Sequence, residues 1–180
     1  MGNHSKSDEK IHAAENRELE QAHVYEMLKS YSVVLFGTAE EGVGLRVRPM
    51  TIARVDEDCT VYFVTALDTV SARTAGQSSR DRLFAQASSR FLVMQGSHEV
   101  STDRALLKDL WSAPMDAWFD GPDDPKACAI VYTPTEAELW DNTGIAGLRY
   151  LFQAAKAVIT GEKPPHTEDP KLHARIPITH

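Results

Sequence analysis

Two arginines separated by one residue stand inside an otherwise apolar, strand-like segment. Arg46 and Arg48 flank Val47, and Pro49 follows them directly. Because side chains alternate across a strand, both guanidinium groups share one face, and they need anionic partners if that face is buried. The planar fork of arginine suits phosphate, and proline leaves the local backbone free to meet something other than a neighbouring strand. The pattern indicates either an anion site or surface arginines on an edge strand.

A second group of polar side chains follows the next predicted strand. Thr65 ends that strand, and Thr69 and Ser71 surround the start of a short predicted helix that Asp68 or Thr69 can cap and that runs to about Gln77. Hydroxyls together with the free amides of a helix start form a natural phosphate cradle. The alternative is an ordinary helix cap with incidental hydroxyls. A hairpin that joins the arginine-bearing strand to this cap favours the cradle.

Other familiar chemistries have no counterpart in the sequence. Cys59 and Cys128 lie in apolar strand-like runs outside any CxxC pair and are predicted to be small buried side chains. The seven histidines do not cluster with Cys, Asp or Glu at metal-ligand spacing, so no metal site is expected. The motifs of dinucleotide folds, P-loop enzymes, zinc proteases and α/β-hydrolases are absent. No residue stands out as a catalytic acid, base or nucleophile.

The overall charge restricts the expected partners. The 180 residues carry a formal net charge of -7, and lysine and arginine are scattered, so neither nucleic acid nor an anionic membrane surface is an expected partner. No apolar run approaches the roughly 20 residues of a membrane helix, and the first residues lack the apolar core of a signal peptide. The sequence therefore predicts a cytoplasmic protein.

Hydrophobic periodicity predicts a mainly β domain with flanking helices. A helix over residues 13–30 places one apolar face inward, formed by Val24, Met27, Leu28 and Tyr31. Six or seven strands are predicted, at residues 32–38, 45–55, 60–65, 83–86, 91–100, 127–132 and 135–140, the second of them interrupted at Pro49. Further helices are predicted at residues 105–111 and 146–159. Because alternating βαβ units are absent, an antiparallel barrel is favoured over a doubly wound sheet.

One folded domain is expected, at residues 13–160. Residues 1–12 are polar and charged, and residues 161–180 are charged, rich in proline and without apolar periodicity. The first segment is predicted to be disordered and the second to be a flexible tail, because neither has the apolar surface to offset the entropy of ordering. Deleting the tail is therefore expected to leave the fold intact.

Five short motifs follow one another along residues 20–142. They are Leu45-Arg46-Val47-Arg48-Pro49-Met50; Val61-Tyr62-Phe63-Val64-Thr65 with Asp68-Thr69; Gly96-Ser97-His98-Glu99-Val100 with Asp103-Arg104; Trp111 with Ala117-Trp118-Phe119 and Gly121-Pro122-Asp123-Asp124-Pro125; and Thr133-Pro134 with Glu138-Leu139-Trp140-Asp141. In this order they resemble the pyridoxamine 5′-phosphate oxidase-like, FMN-binding split barrels, most closely the general stress protein 26 group. The third motif is similar to a Gly-x-Ala-x-Val stretch of that family.

The resemblance implies a six-stranded antiparallel split β-barrel that forms a homodimer, with FMN in each of two grooves at the interface. In such proteins the arginine of Arg-Pro-Met binds the FMN phosphate, and that residue here is Arg48. Trp140 would approach the flavin from the partner subunit, or else fill the dimer core without touching flavin. The implied cofactor-binding residues are Arg48, Pro49, Met50, Thr51, Phe63, Val64, Thr65, Thr69, Ser71 and Trp140.

Two departures from the family pattern bear on function. The family usually has Ser-x-Lys where this chain has Thr69-Val70-Ser71, so a phosphate-binding cation is missing unless Arg73 reaches back. The Arg-x-His pair with which true pyridoxamine 5′-phosphate oxidases hold substrate does not follow Trp140. The chain is therefore not expected to be such an oxidase, and its affinity for FMN is expected to depend mainly on Arg48.

Three functional hypotheses follow from the sequence. The first is an FMN-dependent oxidoreductase with a stress-related role, acting on a small substrate with the chemistry carried by the flavin. The second is a non-catalytic module that binds or senses flavin. The third is a structural split-barrel dimer without flavin. A homodimer is also expected from the aromatic side chains in loops and near the last strand: Trp111, Trp118, Phe119 and Trp140.

Overall fold

The first helix confirms the apolar face that the periodicity predicts. The structure is a computed structural model that describes residues 18–40, 44–76, 78–141 and 173–180, and helix α1 covers residues 18–29. The four side chains of the predicted face are all buried in the core: Val24, Met27, Leu28 and Tyr31. The predicted helix start at residue 13, the segment 1–12 and the predicted helix at 146–159 lie outside the described residues.

In the described part of the chain, eight strands form one antiparallel sheet. They are β1 (Val33–Glu40), β2 (Gly44–Thr51), β3 (Arg54–Val55), β4 (Val61–Ala66), β5 (Asp81–Ala87), β6 (Arg90–Ser101), β7 (Ala127–Asp141) and β8 (His173–Pro177). The order across the sheet is β2-β1-β5-β6-β7-β4-β3, and β8 pairs with β7. Two short helices, α2 (Val70–Arg73) and α3 (Arg104–Leu110), and a 3₁₀ turn at Ala113–Ala117 lie between the strands.

The sheet closes on itself because its two outermost strands are successive pieces of one chain segment. The amide of Ile52 donates to Ser32 O at 3.0 Å, while the next amide, of Ala53, donates to Tyr62 O at 2.8 Å. Between these two residues the chain thus changes from pairing with β1 to pairing with β4. This arrangement confirms the predicted mainly β split barrel with flanking helices.

The chain breaks its second predicted strand at a different place from the one expected. Pro49 lies inside β2, opposite Leu35 of β1, and the break falls at Ile52–Ala53 instead. Because β2 is an outer strand of the sheet, a proline there can direct its missing N–H away from the paired side, so no ladder hydrogen bond is lost. The strand is therefore not interrupted at Pro49, which instead lies on an outer strand, where its missing N–H is tolerated.

The two strands predicted at residues 127–132 and 135–140 are one continuous strand, β7. Pro134 lies within it, opposite Gly96, where the pairing with β6 shifts by one position. Glycine is required at position 96, since a Cβ there would collide with the carbonyl oxygen of Thr133. The bulge lets β7 pass through its proline without ending.

Residues 173–180 are ordered, which corrects the prediction of a flexible tail over residues 161–180 for this part of it. Strand β8 pairs with β7, and the side chains of Ile176 and Ile178 are buried in the barrel core. The side chain of Gln21 in α1 donates to Thr179 O at 3.0 Å, which ties the chain end to the first helix. The strand was not predicted because only two apolar residues alternate with polar ones there, in a segment that is otherwise charged and rich in proline. Residues 161–172 lie outside the described residues.

The barrel core is aromatic at its centre and holds both thiols. The ring of Phe36 lies 5.3 Å from that of Phe63 and 5.3 Å from that of Tyr132. Burial raises the pKa of the Cys59 thiol to about 12 and that of Cys128 to about 11, so both are inert core residues, as the sequence predicts.

Two further features concern only the described part of the chain. No helix there is long and apolar enough to cross a membrane. Nor do three His, Cys, Asp or Glu side chains come together there in an arrangement that could hold a metal ion.

Candidate functional site

A groove of about 470 Å³ opens between β2, β4 and the loop that carries the 3₁₀ turn. Its lining on the strand side comes from the segments where the sequence places cofactor-binding residues. Six of the ten predicted residues line it: Pro49, Met50, Thr51, Val64, Thr65 and Thr69. The structure thus brings together segments that are separated in the sequence.

Arg48 directly precedes Pro49, the first lining residue, and points to the same side of the sheet as Phe36, its partner on β1. Arg46 pairs with Thr38, which is also buried, so the two arginines share a face as the alternation predicts. The Arg48 side chain is half-buried, and its Nη1 donates to Ser71 Oγ at 2.7 Å. Among the described residues no carboxylate lies within ion-pair distance of Arg48. Its guanidinium is therefore oriented but carries a positive charge that nothing in this part of the chain compensates.

The turn before α2 follows the predicted cap, but the helix is shorter than expected. Thr69 Oγ1 accepts from the amide of Ala72 at 3.3 Å and donates to Ala66 O at 2.8 Å. The helix ends at Arg73 instead of about Gln77, and Gly76 follows with a φ of 72°. A single turn has too small a dipole to attract an anion by itself. Any anion binding here depends on the side chains and not on the helix start that the sequence suggested.

Ser71 is fully buried, and its carbonyl oxygen contacts a buried histidine that is itself bonded to a buried aspartate. Nε2 of His98 lies 2.7 Å from Ser71 O, and Nδ1 of the same ring lies 2.7 Å from Asp81 Oδ2. The second oxygen of Asp81, Oδ1, accepts from the amide of Ala39 at 3.0 Å. Sequence reasoning missed this network because its members lie far apart along the chain, and the single local signal was a histidine where the similar family motif has alanine.

The outer wall of the groove comes from the loop after α3. It contributes Ser112, Pro114, Met115, Trp118 and Phe119. The sequence did not assign these residues to the site, although an adjacent tryptophan and phenylalanine in a proline-containing loop was the available signal. The Trp118 side chain is 83% exposed, which is unusual for so large an apolar group.

Hydrogen bonds hold this wall in place. Trp111 Nε1 donates to Asp116 Oδ1 at 2.8 Å, and the Trp111 ring packs against that of Phe119 at 5.9 Å. Asp124 accepts from the amides of Asp120 and Lys126, and these two bonds lower the pKa of its carboxyl group. The exposed tryptophan therefore stands on a well-supported loop.

Four of the predicted site residues do not line the groove. Arg48 and Ser71 stand close in the chain to lining residues, whereas Phe63 and Trp140 lie away from the groove. The Phe63 side chain is fully buried in the aromatic core and does not line the groove. Trp140 lies on β7 far beyond Ala129, the residue that pairs with Val64, at a separation of roughly 35 Å along the strand. Within one chain Trp140 cannot reach the groove, and the prediction placed it there only from a partner subunit.

The groove contains no titratable side chain among the residues that line it. Its polar atoms in the described part of the chain are the hydroxyls of threonine and serine and the backbone groups, with the Arg48 guanidinium beside them. Such a lining can bind, orient and desolvate a ligand, but it offers no acid or base for proton transfer.

The family model described as "Pyridoxamine 5'-phosphate oxidase like" matches residues 20–165 of this chain. A search of curated proteins found no match.

Solved structures resemble the whole fold. A candidate general stress protein 26 from Jannaschia sp. CCS1 is 28% identical, with a TM-score of 0.65, over 88% of this chain and 97% of that one. A general stress FMN/FAD binding protein from Xanthomonas citri is 26% identical, with a TM-score of 0.59, over 69% of this chain and 89% of that one. A general stress protein 26-related protein from Clostridium acetobutylicum shares the fold at 21% identity and a TM-score of 0.59, over 68% of this chain and 89% of that one.

Proposed function

This chain belongs to the pyridoxamine 5′-phosphate oxidase like family, and on that premise we propose that it is an FMN-binding flavoprotein whose Arg48 holds the phosphate. One observation carries the proposal. Arg48 is a half-buried arginine beside a groove, oriented by the Ser71 hydroxyl and without a carboxylate partner in the described part of the chain. A charge in that position favours a ligand that brings an anion.

The residues present fit a phosphorylated flavin. Arg48 would pair with the phosphate, and the Thr65 hydroxyl would donate a further hydrogen bond. The hydroxyl proton of Thr69 is already donated to Ala66 O, so Thr69 would shape the turn and not add a donor. The apolar side chains of Met50 and Val64 would contact the planar ring system. The groove volume of about 470 Å³ lies within the range of small-molecule sites.

The missing lysine at position 71 has a specific consequence. Ser71 is buried and bonded to Arg48, so it positions the one available guanidinium and does not add a second charge. The phosphate would then be held by one charge-assisted pair and neutral donors. Each charge-assisted hydrogen bond contributes about 1.5–3 kcal/mol, so we expect FMN to bind, but less tightly than at a site with two cations.

The reaction we propose is FMN-dependent oxidation or reduction of a small substrate, in a stress-related role. FMN, when bound, supplies the electron transfer. This chain would bind and orient the flavin through Arg48 and the groove and exclude water with the wall that carries Trp118. The absence of an Arg-x-His pair after Trp140 leads us to propose a reaction other than pyridoxamine 5′-phosphate oxidation.

We also propose a homodimer with FMN at its interface. The outer face of β2, β1 and β6 carries large apolar side chains that are between 39% and 54% exposed: Val33, Leu35, Leu45, Val47 and Phe91. Monomeric proteins rarely leave such a patch uncovered. Pro49 lines the groove and pairs with Leu35 of this face, so a second copy seated on the patch would border the groove. That position would allow the partner's Trp140 to approach the flavin.

Flavin titration of the apoprotein tests the proposal. FMN, FAD, riboflavin and pyridoxal phosphate would be compared by fluorescence quenching, with the absorbance of oxidised flavin near ~450 nm as a second readout. We expect FMN to bind more tightly than riboflavin, which lacks the phosphate. Equal affinity for FMN and riboflavin, or no binding of either, would contradict the proposal. Light scattering of the same samples should give the mass of a dimer.

A flavin-binding or sensing module is the second candidate. It is favoured by the groove lining, in which none of the described residues can transfer a proton. Anaerobic mixing of the FMN-loaded protein with NADH or NADPH separates the two candidates. An oxidoreductase that uses these donors bleaches the flavin with turnover, whereas a binding module leaves the flavin spectrum unchanged.

A further inference from the structure

Two titratable side chains are buried behind the turn that carries Ser71, although the groove does not contain them. His98 and Asp81 are each 1% exposed, and the edge of the His98 ring packs against Phe36 at 5.4 Å. Placing such groups in an apolar core is costly unless every polar atom has a partner. An aliphatic pair could fill the same space without that cost, so the pair needs a reason beyond packing.

The geometry fixes where the ring protons are. A backbone carbonyl oxygen can only accept, so His98 Nε2 is protonated and donates to Ser71 O at 2.7 Å. Nδ1 faces a carboxylate oxygen of Asp81 at 2.7 Å, and a contact this short requires one more proton between the two groups. Because Asp81 is itself anchored by the Ala39 amide, the ring is locked in one orientation.

Ser71 connects this pair to the ligand side of the sheet. Its carbonyl oxygen accepts from His98 inside the barrel, and its hydroxyl accepts from Arg48, which directly precedes the groove residue Pro49. Helix α2 has only four residues and therefore little stability of its own. A second bond, from the Gly76 amide to His98 O, ties the end of the same turn to the same residue.

We propose that His98, oriented by Asp81, is a positioning residue for the phosphate end of the groove. By holding Ser71 from behind, His98 keeps the serine hydroxyl where it orients the Arg48 guanidinium. This inference rests on the proposed function, because its effect appears only when a phosphate is there to bind. It assigns to a buried histidine part of the task that a lysine at position 71 would otherwise perform.

A positioning role and a purely structural role predict different results. Loss of a structural contact weakens the fold and lowers the affinity for every flavin alike. Loss of a residue that positions Arg48 lowers the affinity for FMN and leaves riboflavin almost unaffected. The ratio of the riboflavin dissociation constant to the FMN dissociation constant therefore isolates the positioning effect.

The test compares wild type with His98→Ala and with Glu99→Ala, an exposed neighbour on the same strand. We expect His98→Ala to lower this ratio by about tenfold and Glu99→Ala to leave it unchanged. An unchanged ratio in His98→Ala overturns the inference, whether both flavins lose affinity or neither does. If wild type itself shows no preference for FMN, the proposed function has failed, and that result is separate from the comparison between variants.

A second measurement needs no substitution at the buried site. In wild-type protein labelled with ¹⁵N-histidine, the ring resonances of His98 report its two hydrogen bonds. Titration with FMN should shift them, because phosphate binding at Arg48 is transmitted through Ser71, and titration with riboflavin should not. Resonances that stay fixed under FMN, or that shift equally with riboflavin, would overturn the proposal even if His98→Ala does not fold.

Discussion

Two of the three arginines in residues 44–55, Arg48 in β2 and Arg54 in β3, are partnered in opposite ways. Arg54 Nε lies 2.9 Å from Asp56 Oδ1, its Nη1 also contacts Asp109, and its guanidinium stacks over the Tyr62 ring at 4.1 Å. Arg48 has the Ser71 hydroxyl as a partner, and no carboxylate of the described residues is within ion-pair distance.

The charge of one arginine is neutralised by acidic residues within the fold, whereas the charge of the other is left for a ligand. Arg54 is compensated by acidic residues of its own chain, so its partners join β3 and β4 to helix α3. Arg48 is oriented but not compensated, and it lies beside a groove whose lining has no charge of its own among the described residues. We therefore expect changes at Arg54 to alter stability and changes at Arg48 to alter ligand binding.

The largest expected effect comes from a change that touches neither arginine. Ending the chain after residue 172 removes β8 and with it the buried Ile176 and Ile178. Loss of two buried isoleucines should cost at least about 4 kcal/mol of unfolding free energy. For a chain of this size the melting temperature should fall on the order of 10 °C.

The truncation also tests the comparison between Arg48 and Arg54. Truncated protein that stays folded at low temperature should keep its preference for FMN over riboflavin. Arg175→Ala is the matched control, since its side chain is 68% exposed and its pair with Glu136 is a surface ion pair. A melting temperature that hardly changes on truncation would contradict the ordered C-terminal strand.

A smaller effect is expected for Arg54→Ala. The variant loses two partly exposed ion pairs and the stacking on Tyr62, which together should lower the unfolding free energy by about 1–2 kcal/mol. Urea denaturation measures this change. Lys108→Ala, which loses a more exposed ion pair with Asp123, should change stability by less than about 0.5 kcal/mol. If Arg54→Ala weakened FMN as well, the division between the two arginines would be wrong.

The smallest expected effect is that of salt on wild type. Raising the ionic strength screens the attraction between a half-buried guanidinium and a phosphate only in part. The FMN dissociation constant should therefore rise by about three- to tenfold between 50 and 500 mM salt, while that for riboflavin stays constant. An equal salt dependence for both flavins would show that the phosphate is not held by charge.

Local patterns predicted the parts of the fold that local sequence controls. The buried face of α1 follows from spacing alone, and α3 forms where a helix is predicted, behind Asp103, whose side chain accepts from the Ala105 amide at 2.9 Å. The single strand β7 and the closing strand β8 were not predictable in this way. Both depend on pairing with distant segments. That pairing allows Pro134 to lie within a strand and Ile178 to be buried in the barrel core.

The same contrast between local and long-range determinants applies to the site. Motif order predicted which segments come together around the groove, those of Met50, Thr65 and Thr69, because the motifs reflect a shared backbone arrangement. His98 and the wall that carries Trp118 were missed as site elements, since their positions depend on contacts across the barrel.

The most direct test of the phosphate site is the effect of Arg48→Ala on four dissociation constants, for FMN and riboflavin in wild type and variant, at fixed salt. Loss of a bidentate charge-assisted pair should weaken FMN by about 2–4 kcal/mol, or roughly 30- to 1,000-fold. Riboflavin should change by less than about threefold, and Arg54→Ala, measured in parallel, should change neither constant. If Arg48→Ala weakens riboflavin as much as FMN, Arg48 is not a phosphate ligand and the assignment of the site is wrong.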